Sequence, residues 1–191
     1  MRLSFNGLRR PDPVPTQVAG AIPLGRGESI LNGATDLDGA AWVVATNHAL
    51  AVVTPAGSLV SRRPWHEVDH GSWDRDSSLL TVTWVDRGHP GQWRLGDERL
   101  FLQTLRERVQ ASVVLAEDLR LSGRRTGRAV IRQDLATREL LEQVVLGRGV
   151  REDEEVRQAS ARALGSLREQ VGMPSGPVRP APMRPAGPRS D

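Results

Sequence analysis

Between residues 40 and 115 the apolar side chains fall in short runs separated by turn-forming clusters, the pattern of a small curled β-sheet. Four runs carry it: residues 42–45, 50–53, 79–85 and 93–95. In Leu80-Thr81-Val82-Thr83-Trp84 the apolar side chains point one way and the threonines the other, as in a half-buried antiparallel strand. Thr46-Asn47-His48 reads as a tight hairpin in which the asparagine adopts an unusual backbone conformation. Pro55-Ala56-Gly57, residues 74–77 and residues 87–91 supply further breaks. Phe101, Leu102, Leu105, Val109 and Val113 then recur at helical spacing, with Arg99, Arg106, Glu107 and Arg108 mostly on the other side. A helix is therefore predicted from about Asp97, its candidate cap, to Ala116. Such a helix is marginal in isolation, so its stripe must close one end of the sheet.

A second unit follows. Leu119-Arg120-Leu121, residues 128–132 and residues 139–145 read as a three-strand meander, the valines before Gly147 favouring strand over helix in the last. Residues 152–171 predict a helix with Val156, Ala163, Leu164, Leu167 and Val171 inward. Four acids at residues 152–155 suit the positive end of its dipole, and Gly172-Met173-Pro174 ends it. Three strands and a helix are too small to be secure alone, so they are expected to pack on the first unit. Residues 1–27, rich in proline and glycine, read as a flexible arm with one short strand around residues 16–22. Residues 173–191 hold too little apolar surface to offset chain entropy and read as a disordered tail. That tail contains two P-x-x-P matches, residues 177–180 and 182–185.

Glu28-Ser29-Ile30-Leu31, the run Trp42-Val43-Val44-Ala45-Thr46-Asn47-His48-Ala49-Leu50, and Trp65-His66-Glu67-Val68 leading through strands into a helix resemble bacterial pleckstrin-homology-like domains. The resemblance covers about residues 28–116. It implies an α+β fold built on a partly open antiparallel β-barrel closed by a helix, here followed by the small meander and the C-terminal helix. It implies a binding or scaffolding role and no catalytic residues. Relatives that bind phosphoinositides carry basic residues between their first two strands. Here residues 32–39 are acidic, so lipid headgroups are not expected there.

Composition narrows the chemistry. The absence of cysteine removes disulfides, thiolate metal sites and cysteine nucleophiles together. No apolar run is long enough for a signal peptide or a membrane span, so a cytoplasmic protein is expected. All 26 basic residues are arginine and tyrosine is absent, as GC-rich coding produces. Residues 1–27 hold four arginines against one acid and residues 173–191 three against one, whereas residues 28–172 carry 19 arginines against 21 acids. Bulk charge therefore provides no nucleic-acid surface in the folded part.

Three sets of residues remain as candidates. His66-Glu67-Val68-Asp69-His70 matches the H-E-x-x-H motif of zinc hydrolases, which needs a helix to bring both histidines to one metal. Pro64 before it and Gly71 after it favour a strand, with Trp65, Glu67 and Asp69 on one face and His66, Val68 and His70 on the other. No metal or cofactor is expected, and a zinc hydrolase is the least favoured reading. Arg120, Arg124, Arg125 and Arg128 cluster at one hairpin, where they could grip phosphate or nucleic acid. Of the five tryptophans, Trp65 and Trp73 have the weakest core phase and are candidates for a partner surface. The expectation is a non-catalytic binding or scaffold module with a protein partner; the arginine hairpin is the alternative site.

Overall fold

A short helix, α1 (Thr16–Gly20), opens the part of the chain that the computed structural model describes, residues 13–96 and 98–173. It is followed by an antiparallel meander of β1 (Ile30–Thr35), β2 (Trp42–Thr46), β3 (Ala49–Val53) and β4 (Leu59–Pro64), hydrogen-bonded in that order. β3 is buried along its whole length and β2 nearly so, because both faces of these strands are covered. Val43, Ala45 and Leu50 enter the main core, while Val44, Ala51 and Val53 meet Val18 and Ile22 on the other side. Continuous rather than alternating apolar runs are what strands covered on both faces require. Residues 16–22 thus form no strand. They form a helical turn that lays Val18 and Ile22 on the sheet, each worth roughly 1.5–3 kcal/mol of apolar burial.

The hairpin between β2 and β3 holds the preceding segment in place. The Thr46 hydroxyl accepts from the Ala49 amide at 2.8 Å and donates to Glu28 Oε1 at 2.6 Å. Asn47 accepts from the Ser29 amide and donates to the Gly27 carbonyl, at 2.8 and 2.9 Å. Asn47 has no positive φ; its contribution is these two side-chain bonds. Glu28, whose side chain is wholly buried, also receives both contacts of the Arg62 guanidinium, at 2.7 and 2.8 Å. Burial pushes its carboxyl up, but the Gly25 amide, Thr46 and Arg62 together hold it below its ordinary value.

A 3₁₀ turn, Trp65–Glu67, leads into a second antiparallel sheet of β5 (Val68–Asp74), β6 (Leu79–Trp84) and β7 (Gly91–Arg94). In β6, Leu80, Val82 and Trp84 are buried and the threonines half-buried, as the alternation predicts. The two sheets share the main core and are joined at one edge, where Asp36 bridges Leu95 and the Leu37 amide donates to the Arg94 carbonyl at 2.7 Å. They do not merge into a closed barrel. α2 (Arg99–Ser112) packs against β1, β5 and the 3₁₀ turn and buries Phe101 and Leu105 in the main core. The expected cap, Asp97, lies outside the described residues, and Glu98 at the N-cap position makes no side-chain capping bond.

α2 ends at Ser112, not near residue 116. Val113 is already extended and begins β8 (Val113–Asp118), which pairs with β9 (Gly127–Gln133), itself flanked by β10 (Leu140–Leu146). Two adjacent β-branched residues favour this exit from the helix. The strand expected at residues 119–121 is therefore displaced towards the N-terminus. Residues 140–146 are a strand, and α3 (Glu154–Val171) packs Ala159, Ala163, Leu164 and Leu167 onto Ala129 and Ile131. Asp153 caps α3 by accepting from the Val156 amide at 2.9 Å, and Gly172 closes it with φ of 68°. The fold is α+β, with three antiparallel sheets and three helices among the described residues. Of the predicted C-terminal tail only Met173 is described, half-buried against the second core; both P-x-x-P matches lie outside the described residues, as do residues 1–12 of the predicted arm.

Removing the partner of the buried Glu28 leaves a carboxylate without its cation. Arg62→Met should lower the unfolding free energy by about 2 kcal/mol, near the small end for broken buried pairs because Arg62 is partly exposed. Since the folded Glu28 pKa is depressed, its contribution is complete above the unfolded value and is lost as pH falls through the folded one. Urea denaturation of both proteins at neutral and acidic pH should show the gap narrowing in acid.

Candidate functional site

The period of two along β9 builds the site. Ala129 and Ile131 face α3, so Arg128, Val130 and Arg132 face the opposite way, towards α2 and β5. In β10, Leu141 and Gln143 pair with Arg132 and Val130 and share that side. One face of the sheet is therefore an apolar cover for α3. The other is a polar seam against the first unit.

Three contacts cross the seam. The Arg128 guanidinium pairs with the Asp69 carboxylate of β5. Arg132 Nη1 donates to Ser112 Oγ at the end of α2, at 2.9 Å. Gln143 Nε2 donates to the His66 carbonyl, also at 2.9 Å. A cavity of about 350 Å³ opens beside them, with Asp69, Gln110, Arg128 and Arg132 as polar groups and Val109, Val113, Ala116 and Val130 as apolar ones. Arg132 is only 1% exposed, and its Nε is buried without a hydrogen-bond partner among the described residues. Burial lowers its pKa to about 10, against the pull of Asp69 and with the help of Arg128, so the guanidinium keeps its charge at neutral pH.

His66 sits at the other end of the seam. Its Nδ1 is buried, 3.8 Å from Asp134 Oδ2 and beyond hydrogen-bond reach. Burial lowers its pKa; Asp134 and Glu67 oppose that, and Arg132 adds to it. The H-E-x-x-H residues do not share a helix face. His66 and Glu67 belong to the 3₁₀ turn, His70 is exposed on β5, and Glu67 pairs with Arg63 at 2.8 Å. The turn also breaks the strand alternation expected from Trp65 onwards. Among the described residues no group of three or more histidines and acids is placed to hold a metal ion.

The arginine hairpin divides in the same way. Arg125 pairs with Asp153 and Glu155 at the start of α3, and Arg128 is committed to Asp69. Arg120 and Arg124 are exposed, with no ion pair among the described residues. The four side chains therefore do not form one basic surface. Trp65 is fully buried, its indole N–H donating to the Thr46 carbonyl at 2.9 Å, so it presents nothing to a partner. Trp73 is half-buried and packs on the main core. Sequence reasoning missed Arg132, Asp69 and Ser112. The available signal was Arg128-Ala129-Val130-Ile131-Arg132, where apolar residues on both faces imply a strand covered on both sides, and hence buried arginines.

No family model matches the chain, and no curated protein or solved structure matches it either. Among the described residues no helix is long and apolar enough to cross a membrane.

The depressed His66 pKa ties stability to pH. Between its folded value and the ordinary 6.5 the unfolded chain binds the extra proton, so stability is complete above 6.5 and falls as pH drops through that window. Thermal melts from neutral to mildly acidic pH should show this loss, and His66→Gln should flatten the slope. Identical slopes for the two proteins would remove His66 from the account.

Proposed function

We propose that residues 28–116 form a pleckstrin-homology-like binding module, and that the protein holds a protein partner instead of carrying out catalysis. The scaffold reading is supported by a four-strand meander, a three-strand meander and a helix packed against both, in that chain order. A binding role is supported by what the polar groups do. Asp69, Arg128, Ser112 and Gln143 join the two units, and Glu67 is taken up by Arg63.

The observation that carries the partner reading is a set of leucines left in water around β1 and the start of α2. Leu31, Leu37 and Leu100 are 44%, 53% and 44% exposed. Asn32 ties the two elements together through Thr104 Oγ1, at 2.7 Å. Leu37 lies beside Gly96, just before the helix. Large apolar side chains left in water gain by being covered, at roughly 25 cal/mol per Å² removed from water.

A crosslinked pull-down from the native cell, comparing the full chain with the L31S/L37S/L100S variant, tests this. The expected outcome is a protein recovered by the wild type, unaffected by nuclease, and lost with a variant whose melting temperature is retained. Equal recovery by both proteins would move the interface elsewhere. Recovery abolished by nuclease would instead favour Arg120 and Arg124.

A further inference from the structure

The seam carries an inference independent of the leucine surface. Arg132 is a charged side chain held almost wholly out of water in the middle strand of a sheet. A guanidinium offers five donors. Here Nη1 reaches Ser112, and Nε is buried with no partner among the described residues. The acid of the cavity, Asp69, accepts a hydrogen bond from Arg128 instead. The three ionised groups of the cavity, Arg128, Arg132 and Asp69, leave one positive charge uncompensated. A buried cation without a hydrogen-bonded anion is costly, and a guanidinium favours the planar, two-oxygen geometry of a carboxylate.

The cavity supplies the second half of the recognition. Its volume of about 350 Å³ lies at the small end of the range for ligand pockets. Val109 and Val113, from the end of α2 and the start of β8, and Val130 of β9 give it an apolar side beside the two guanidinium groups. We propose that this cavity binds a small amphipathic monocarboxylate, its carboxylate on Arg132 and its short apolar chain against Val109, Val113 and Val130. The ligand would then bridge α2 and β9, elements from the two units, and hold the units together. Asp69 acts as the internal competitor, since it offers a carboxylate to the same pair of arginines.

The test uses hexanoate as the probe, with hexanol and hexylamine as matched neutral and cationic controls, followed by calorimetric titration and by the shift in melting temperature. Wild-type protein should saturate with hexanoate at concentrations up to about 10 mM and respond to neither control. Arg132→Met should weaken binding at least about tenfold. Asp69→Asn should strengthen it several-fold by freeing Arg128, a gain that impaired folding would not produce, so it decides the matter if the Arg132 variant is unstable. No saturation by hexanoate, equal binding of hexanol, or weaker binding by Asp69→Asn would overturn the proposal. Inorganic phosphate binding as tightly as hexanoate would overturn the ligand class, because the apolar side would then contribute nothing.

Discussion

The turn at Trp65–Glu67 is the point on which the three sheets depend. Trp65 is buried completely, and its indole bonds the Thr46 carbonyl in the first sheet. The backbone of the same turn faces every other body. The Trp65 amide donates to the His48 carbonyl, the Glu67 carbonyl accepts from Val85 just after β6, and the His66 carbonyl accepts from Gln143 of the third sheet. A buried tryptophan removes roughly 150–250 Å² from water, an upper bound of about 4–6 kcal/mol. That one side chain therefore makes an otherwise open corner into an anchored one. The turn is a corner between sheets one and two and a socket for sheet three.

The third sheet shows how a single strand can serve two environments. β9 presents Ala129 and Ile131 to α3 and Arg128, Val130 and Arg132 to the first unit. The apolar face supplies cohesion without direction. The polar face adds direction, because Asp69, Ser112 and the His66 carbonyl meet Arg128, Arg132 and Gln143 at fixed positions. Desolvating arginine and histidine has a cost, and exchanging such groups for apolar ones is often neutral or stabilising elsewhere.

Much of the architecture was legible in the chain. The alternation in β6, the helical stripe of Phe101, Leu105 and Val109, and a helix over residues 152–171, found as Glu154–Val171 with Asp153 as its cap, were each readable from period and end signals. The boundaries were less so. Val113 leaves the helix because β9 is there to pair with it, which no local signal reports. Residues 16–22 carry too few apolar positions to declare a period, and they become helical because they cover the outer face of β2 and β3. The candidate arginines were judged from their crowding in the chain, but Arg125 is neutralised by α3 and Arg128 by β5, elements distant in sequence.

Local periodicity settled the strongly periodic segments, β6, α2 and α3, because the placement of apolar side chains every two or every 3.6 residues is a property of the chain itself. Only the tertiary structure decided what lies opposite each face. Trp65 became a core anchor and Arg132 a buried cation through contacts between residues tens of positions apart. Burial and charge pairing are properties of neighbours in space, and in this chain the neighbours that define the candidate site come from four separate elements, α2, β5, β8 and β9.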